Sequence, residues 1–230
     1  MLKVLLKNEK GRDFVLGDLH GNYTDFQRLM EAVNFDQSVD RVFSVGDLID
    51  RGPDSAKCLT LLDNPWFHAV MGNHEEMLVA AYDNEAVQGI HKMNGGLWAY
   101  YPEHRETVHQ YIDLVRELPI YLEVKDSFSV MHAEPPYTKQ DLLAFSKHWY
   151  DTGCIDGSVT LWGRNWFYNY YGKNPDEVKN QRIPKSSLIQ TCYVGHTPVL
   201  KPFRLGFLVN LDTGSGKGGT LTLHQHGTPI

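Results

Sequence analysis

The chain has 230 residues, 42% of them hydrophobic and 22% charged, with a formal net charge of -6. A chain of this size can bury a real core as one domain, expected over residues 1–230, and its acidic balance excludes a sequence-independent nucleic-acid binder, which needs clustered positive charge. There is no run of 18 apolar residues for a membrane span, no signal-peptide core in MLKVLLKNEK, and no C-x-x-C spacing among Cys58, Cys154 and Cys192, so a cytoplasmic protein with no membrane partner is expected.

The first apolar run, FVLGDLHG (14–21), reads as a buried strand that ends in Asp18 and His20. Two positions apart at a strand end, the two side chains share a face, which suits chelation of one ion by a carboxylate and an imidazole. The following NYTDFQRLMEAVNF has helical period, with Phe26, Leu29, Met30 and Val33 on one face and Thr24 and Gln27 spaced as a capping box. RVFSVGD (41–47) is a second strand, ending in Asp47. Beyond it, Pro53 is placed to open a helix over DSAKCLTLL. FHAVMGNH (67–74) is a third strand, ending in Asn73, with EMLVAAYD continuing as helix. Strand and helix alternating in this way imply parallel strands joined by right-handed crossovers. Residues 101–118 predict another helix, ending before Pro119.

SFSVMH (127–132) and TCYVGH (191–196) predict two more strands, ending in His132 and His196. Between them, 149–171 is dense in aromatics (Trp149, Tyr150, Trp162, Trp166, Phe167, Tyr168, Tyr170, Tyr171), either a groove for peptide side chains or satellite core under a long loop. After His196, FRLGFLVNLDTG and GGTLTLHQH look like the two strands of an antiparallel hairpin, so the fold class is α/β tending to a mixed sheet sandwich. GSGKGG (214–219) is a turn rather than a phosphate loop: Leu211 stands where the first glycine of G-x-x-x-x-G-K-[ST] belongs, and Gly218 replaces the Ser or Thr. Cys192 reads as a small core residue, and His224 and His226 are given no role.

Open α/β sheets set their ligand crevice at the C-terminal strand edge, so Asp18, His20, Asp47, Asn73, His132 and His196 are expected to converge. Oxygen and nitrogen donors without thiolate fit Mn, Fe, Zn or Ni better than Ca or Mg, and do not rank them. Six ligands for two ions leave one carboxylate to bridge, and two-metal sites with ions roughly 3.5 to 4 Å apart suit phosphoester displacement. Singly, each residue has an ordinary explanation: Asp and Asn turn chains, a loop His is often merely satisfied, and Gly17, Gly46, Gly72 and Gly195 could be turn glycines. Their joint occurrence in this order argues for a site.

GDLHG at 17–21, GDLIDRG at 46–52 and GNHE at 72–75, followed by VMHAE and VGHTP, resemble the serine/threonine phosphoprotein phosphatase branch of the calcineurin-like metallophosphoesterases, over Phe14 to about Gly214. HAE, LWGRN and the terminal LDTG are most similar to its compact bacteriophage and bacterial members. The resemblance implies a metallophosphoesterase-type mixed β-sandwich flanked by helices, with the active site at the C-terminal strand ends. It implies a metal-dependent phosphomonoester hydrolase acting on phosphorylated proteins or peptides, at serine and threonine and in a dual-specificity version also at tyrosine. It implies two divalent ions, manganese first, with iron, zinc or nickel as alternatives. One ion is held by Asp18, His20 and a bridging Asp47, the other by Asp47, Asn73, His132 and His196, and a shared water deprotonated near neutral pH attacks phosphorus in line.

By the same resemblance His74 matches the general acid and Asp50 its carboxylate partner, while Arg51 and Arg164 match the arginines that grip phosphate. Glu75 and Asp212 are either acceptors for ligand histidines or a helix-start charge and a turn residue. His132 is followed by Ala-Glu where the eukaryotic phosphatases carry a glycine, which sets Glu134 beside the site as an extra negative charge. Two other readings stand. A dinucleoside polyphosphate hydrolase of the same superfamily resembles A-R-G and G-N-H-D where this chain has Asp50 before Arg51 and Glu75 after His74. A catalytically silent phosphoprotein-binding module would tolerate loss of some ligands, and none is lost.

Overall fold

The computed structural model describes residues 2–135, 159–164 and 191–230. Among them the strands are β1 (Leu2–Leu5), β2 (Asp13–Leu16), β3 (Arg41–Ser44), β4 (Phe67–Ala69), β5 (Tyr121–Val124), β6 (Phe128–Val130), β7 (Cys192–Val194), β8 (Phe203–Leu205), β9 (Leu208–Asn210) and β10 (Leu223–Gln225). They form two mixed sheets, one in the order β1-β5-β6-β7-β9-β8 and the other β10-β2-β3-β4. The apolar runs are continuous because parallel strands inside such a fold are covered on both faces. Val15, Phe43, Val45 and Val70 of the smaller sheet pack against Leu122, Val124, Phe128, Val130, Tyr193 and Val209 of the larger. Alternate residues of the same strands, Phe14, Leu16 and Val42, face the opposite way into the second core with the helices. Phe43 and Phe128 meet edge to face across the layers, centroids 5.1 Å apart.

The helices are α1 (Tyr23–Ala32), α2 (Ser55–Leu59), α3 (Asn73–Asp83), α4 (Gln88–Met93), α5 (Arg105–Arg116) and the single turn α6 (Val159–Trp162). None is long and apolar enough to cross a membrane. Several expected boundaries shift. The α1 N-cap is Asn22 with no side-chain cap, so Thr24 and Gln27 lie inside the helix and make no capping box. Asp54, not Pro53, precedes α2. α3 opens on Asn73, which puts Asn73 and His74 in a first helical turn rather than on a strand end. Residues 102–104 are a 3₁₀ turn ahead of α5.

The C-terminal hairpin is also different from expectation. β8 and β9 form the antiparallel pair within FRLGFLVN, whereas β10 joins β2 in the other sheet, with Leu223 opposite Leu16. β9 already has β7 on its other side, so it offers no free edge, while β2 has only β3. The turn between Gly214 and Gly218, both left-handed, carries the chain from one sheet to the other, as the turn reading of GSGKGG requires. Just past β10, His226 bonds through its two ring nitrogens to the Tyr193 and Ser127 hydroxyls, a tie between the sheets. Cys58 and Cys192 are buried and free; Cys154 lies outside the described residues.

β2, β3 and β4 run parallel in one sheet, and β6, β7 and β9 run parallel in the other. The loops leaving their C-terminal ends are stitched together. Leu19 and His20 amides donate to the Asp47 carbonyl at 3.0 and 2.8 Å, and the Gly195 amide donates to the His132 carbonyl at 2.7 Å.

Candidate active site

These loops are built from strained backbone. His20, Asp47, Asp50, Arg51 and His196 all have left-handed φ, at 45, 51, 74, 70 and 68°, a conformation that costs non-glycine residues of order 1–3 kcal/mol each and persists where surroundings enforce it. Strand periodicity therefore does not aim Asp18 and His20: β2 ends at Leu16, and the turn at His20 swings its ring inward. Asp18 points instead at the β7 loop, its oxygens accepting the His196 amide at 3.2 and 3.0 Å.

Two of the motif glycines do more than turn the chain. A Cβ on Gly195 would lie 1.9 Å from Asp18 Oδ1, and one on Gly72 would lie 2.3 Å from Asp47 Oδ1. At both positions a backbone must come within contact of a carboxylate that no larger residue would leave room for.

Asp47 is the centre. Its Oδ2 lies 3.5 Å from His20 Nε2 and 3.9 Å from His74 Nε2, and its Oδ1 lies 3.4 Å from His132 Nε2. Asn73 Oδ1 sits 2.9 Å from both His132 Nε2 and His196 Nδ1. Two donor sets result, His20 with Asp47 and His74, and Asp47 with His132 and His196, the atoms of each set within 4.8 Å of one another. Asp18 belongs to neither set, and His74 stands in the first where Asp18 is expected.

The donors fit divalent cations. His20 and His132 each turn Nδ1 to a backbone carbonyl, of Ile49 at 2.9 Å and Val45 at 2.8 Å, which leaves Nε2 as a lone pair. The His132 lone pair then faces the Asn73 and Asp47 oxygens, acceptor against acceptor, an arrangement that a bound cation resolves. Burial pushes His20 down to about 4 and His196 down to about 3, and lowers His132, so these rings are in the neutral, ligating form. Burial opposes the Asp47 charge, but in the acid range, where they are protonated, His132, His74 and His20 outweigh it, and Asp47 lies below the usual carboxylate range. Asp18 is driven the other way, raised by burial and by the facing Asp212 and Asp47 charges. Three buried carboxylates this close together favour a bound cation.

His74 Nδ1 donates to Asp50 Oδ2 at 2.6 Å, both groups fully buried. Burial works against the imidazolium, yet Asp47 and the Asp50 hydrogen bond win, and His74 lies above its usual value. Asp50, also opposed by burial, is held down by its bonds to His74 and His91. Arg51 lays one guanidinium nitrogen against His20 Nε2 and the other 2.8 Å from His74 Nε2, a cation already on the open face of the donors. Arg164 Nε donates to His196 Nε2 at 3.1 Å from the other side.

Glu75 does not accept from a ligand histidine. Its Oε2 accepts the Gly72 and Asp47 amides at 2.9 and 2.8 Å and its Oε1 the Leu48 amide at 2.8 Å, so it holds the β3 loop onto α3. Burial and the nearby Asp47 raise it to about 7. Asp212 is the turn residue, accepting the Gly214 amide at 2.8 Å. Glu134 is buried and lines a small cavity with Val194, Phe203 and Leu205. Of the aromatic segment only Trp162 is described. It donates to Glu76 Oε2 at 2.6 Å, a contact that spacing alone does not announce.

The calcineurin-like phosphoesterase family model matches residues 14–200. The chain belongs to this phosphoesterase family. Its relatives include serine/threonine-protein phosphatase 1 of Salmonella typhimurium, 33% identical over 91% of this chain and 89% of that protein. They also include an asymmetrical bis(5'-nucleosyl)-tetraphosphatase of Geobacillus thermodenitrificans, 29% identical over 90% of this chain and 87% of that protein. A solved serine/threonine phosphatase from Saccharomyces cerevisiae superposes with a TM-score of 0.59 at 17% identity, covering 99% of this phosphoesterase and 84% of that chain. That likeness is one of fold.

Proposed function

We propose that this phosphoesterase is a metal-dependent phosphomonoester hydrolase of the serine/threonine protein phosphatase type. The observation that carries the reading is the Asp47 carboxylate, with one oxygen toward each of two donor sets. Asp18, His20 and Asp47 would hold one divalent ion and Asp47, Asn73, His132 and His196 the other, with manganese the first choice. When bound, the two ions lower the pKa of coordinated water and polarise the phosphoryl oxygens. The protein's own groups do the rest. Arg51 and Arg164, on opposite flanks, present planar forks to a tetrahedral anion. An incoming phosphate competes for the Arg51 guanidinium, which faces His74 Nε2 as a donor. That nitrogen is then free to take up a proton from solvent, the form that Asp47 and Asp50 favour. As the new P–O bond forms in line, the bond to the leaving alkoxide breaks, and His74 delivers its Nε2 proton to that oxygen. Asp50 orients the imidazole throughout and favours its charged form until that proton is given up.

Hydrolysis of p-nitrophenyl phosphate that is lost with a chelator and restored by manganese is the expected result, and no turnover with any divalent metal would defeat the reading. The tetraphosphatase relative supports a second reading, a dinucleoside polyphosphate hydrolase. Comparing kcat/KM on a phosphoserine peptide and on diadenosine tetraphosphate separates the two, with the peptide expected to be preferred.

A further inference from the structure

A second buried histidine backs the acid pair. His91, on α4 and fully enclosed, sets Nε2 3.1 and 3.0 Å from the two oxygens of Asp50, and Nδ1 3.0 Å from the Tyr100 hydroxyl. Trp98 Nε1 donates to Asp50 Oδ1 at 2.7 Å. An ionised carboxylate only accepts, so His91 donates from Nε2, while its Nδ1 pairs with the Tyr100 hydroxyl. Three rings thus converge on one carboxylate, and His91 alone spans both of its oxygens.

The last torsion of an aspartate is soft. A carboxylate held only by His74 and Trp98 could rock about it, and the His74 ring would follow. The bifurcated contact from His91 blocks that motion, and the His91 ring is itself boxed in. The Gly96 backbone packs so closely that a Cβ there would fall 2.1 to 2.4 Å from three ring atoms, and Tyr100 lies under the Lys92 ammonium at 4.2 Å.

We propose that His91 is a positioning residue for phosphoester hydrolysis. Spanning both oxygens of Asp50, with Tyr100 and Trp98 around it, it holds the carboxylate in the plane that aims His74 Nε2 at the leaving oxygen. The proposal rests on the reading of His74 as the proton donor. It extends the site to a segment that none of the phosphatase-like motifs contains.

The test is a leaving-group series of substituted phenyl phosphates, from p-nitrophenyl to unsubstituted phenyl. It is run on the manganese-loaded protein and on His91→Gln, Tyr100→Phe and His74→Asn, with metal content measured for each. A p-nitrophenolate leaves without help, whereas a phenolate of higher pKa needs a proton. His74→Asn should therefore steepen the dependence of kcat on leaving-group pKa. His91→Gln should steepen it too, losing about 10-fold more rate on phenyl phosphate than on p-nitrophenyl phosphate, with KM and metal content unchanged. Tyr100→Phe should move the slope the same way by less, and it carries the test if His91→Gln does not fold. If His74→Asn steepens the series while the His91 and Tyr100 variants lose rate equally on every substrate or lose none, His91 merely packs and the proposal is overturned. If His74→Asn leaves the slope unchanged, the proton-donor reading falls and takes this proposal with it.

Discussion

Glu75→Ala tests whether the metal-binding loop is held by backbone hydrogen bonding. The carboxylate accepts three buried amides, those of Gly72, Asp47 and Leu48, and a buried donor left without a partner costs about 1–3 kcal/mol. Three orphans give about 3–9 kcal/mol before relaxation. Removing the side chain also relieves its repulsion with Asp47, which contributes to raising Glu75 to about 7, so the lower half of that range is expected, about 3–5 kcal/mol. That is a large part of a typical domain stability of about 5–15 kcal/mol. Urea unfolding with and without manganese measures it. We expect a lower midpoint with unchanged slope, and manganese lost more readily, because Asp47 loses the anchor of its own amide. Glu75→Gln, with one acceptor turned to a donor, should cost about 1–3 kcal/mol. A change under about 1 kcal/mol in Glu75→Ala with full metal retention would refute the reasoning.

Other changes probe the same site. His74→Asn should lower kcat by about 10²- to 10⁴-fold with metal content intact; loss of the ions as well would make His74 a ligand, as its place in the first donor set allows. Arg51→Lys replaces a fork with a point charge and should reduce kcat/KM by about 10- to 100-fold with stability unchanged, read from steady-state kinetics and thermal unfolding. Gly195→Ala forces a Cβ to 1.9 Å from Asp18 Oδ1 and should strip bound metal, checked by metal analysis of the purified variant. Glu76 is raised from 4.5 to about 7 by burial, with the Trp162 bond opposing. The folded chain thus holds this proton more tightly than the unfolded one, and stability falls as pH rises from about 4.5 to 7, by about 3 kcal/mol from this group. Glu76→Gln should flatten that window in urea midpoints taken at pH 5 and 8.

Local signals located the chemistry and the strands that lead into it, though not β1 or β5. Runs such as RVFS and TCYV are largely apolar because parallel strands are covered on both faces, and each is followed two or three positions on by its donor residue. Thus Asp47, Asn73, His132 and His196 could be named from neighbours in sequence. The orientation of those side chains was decided elsewhere. His20 and Asp47 are aimed by left-handed backbone that contacts across the loops enforce, not by a period of two. Asp18 meets His196 across 178 positions, and His91 reaches Asp50 across 41. The β10 strand joins the sheet whose edge was free, a fact about β2 rather than about β10's own residues. Glu75 looks like any acid at a helix start until three amides from two loops arrive at its oxygens. Periodicity reports what one segment buries, whereas hydrogen-bond partners, strain and close approach depend on which distant backbones meet, and only the packed chain decides that.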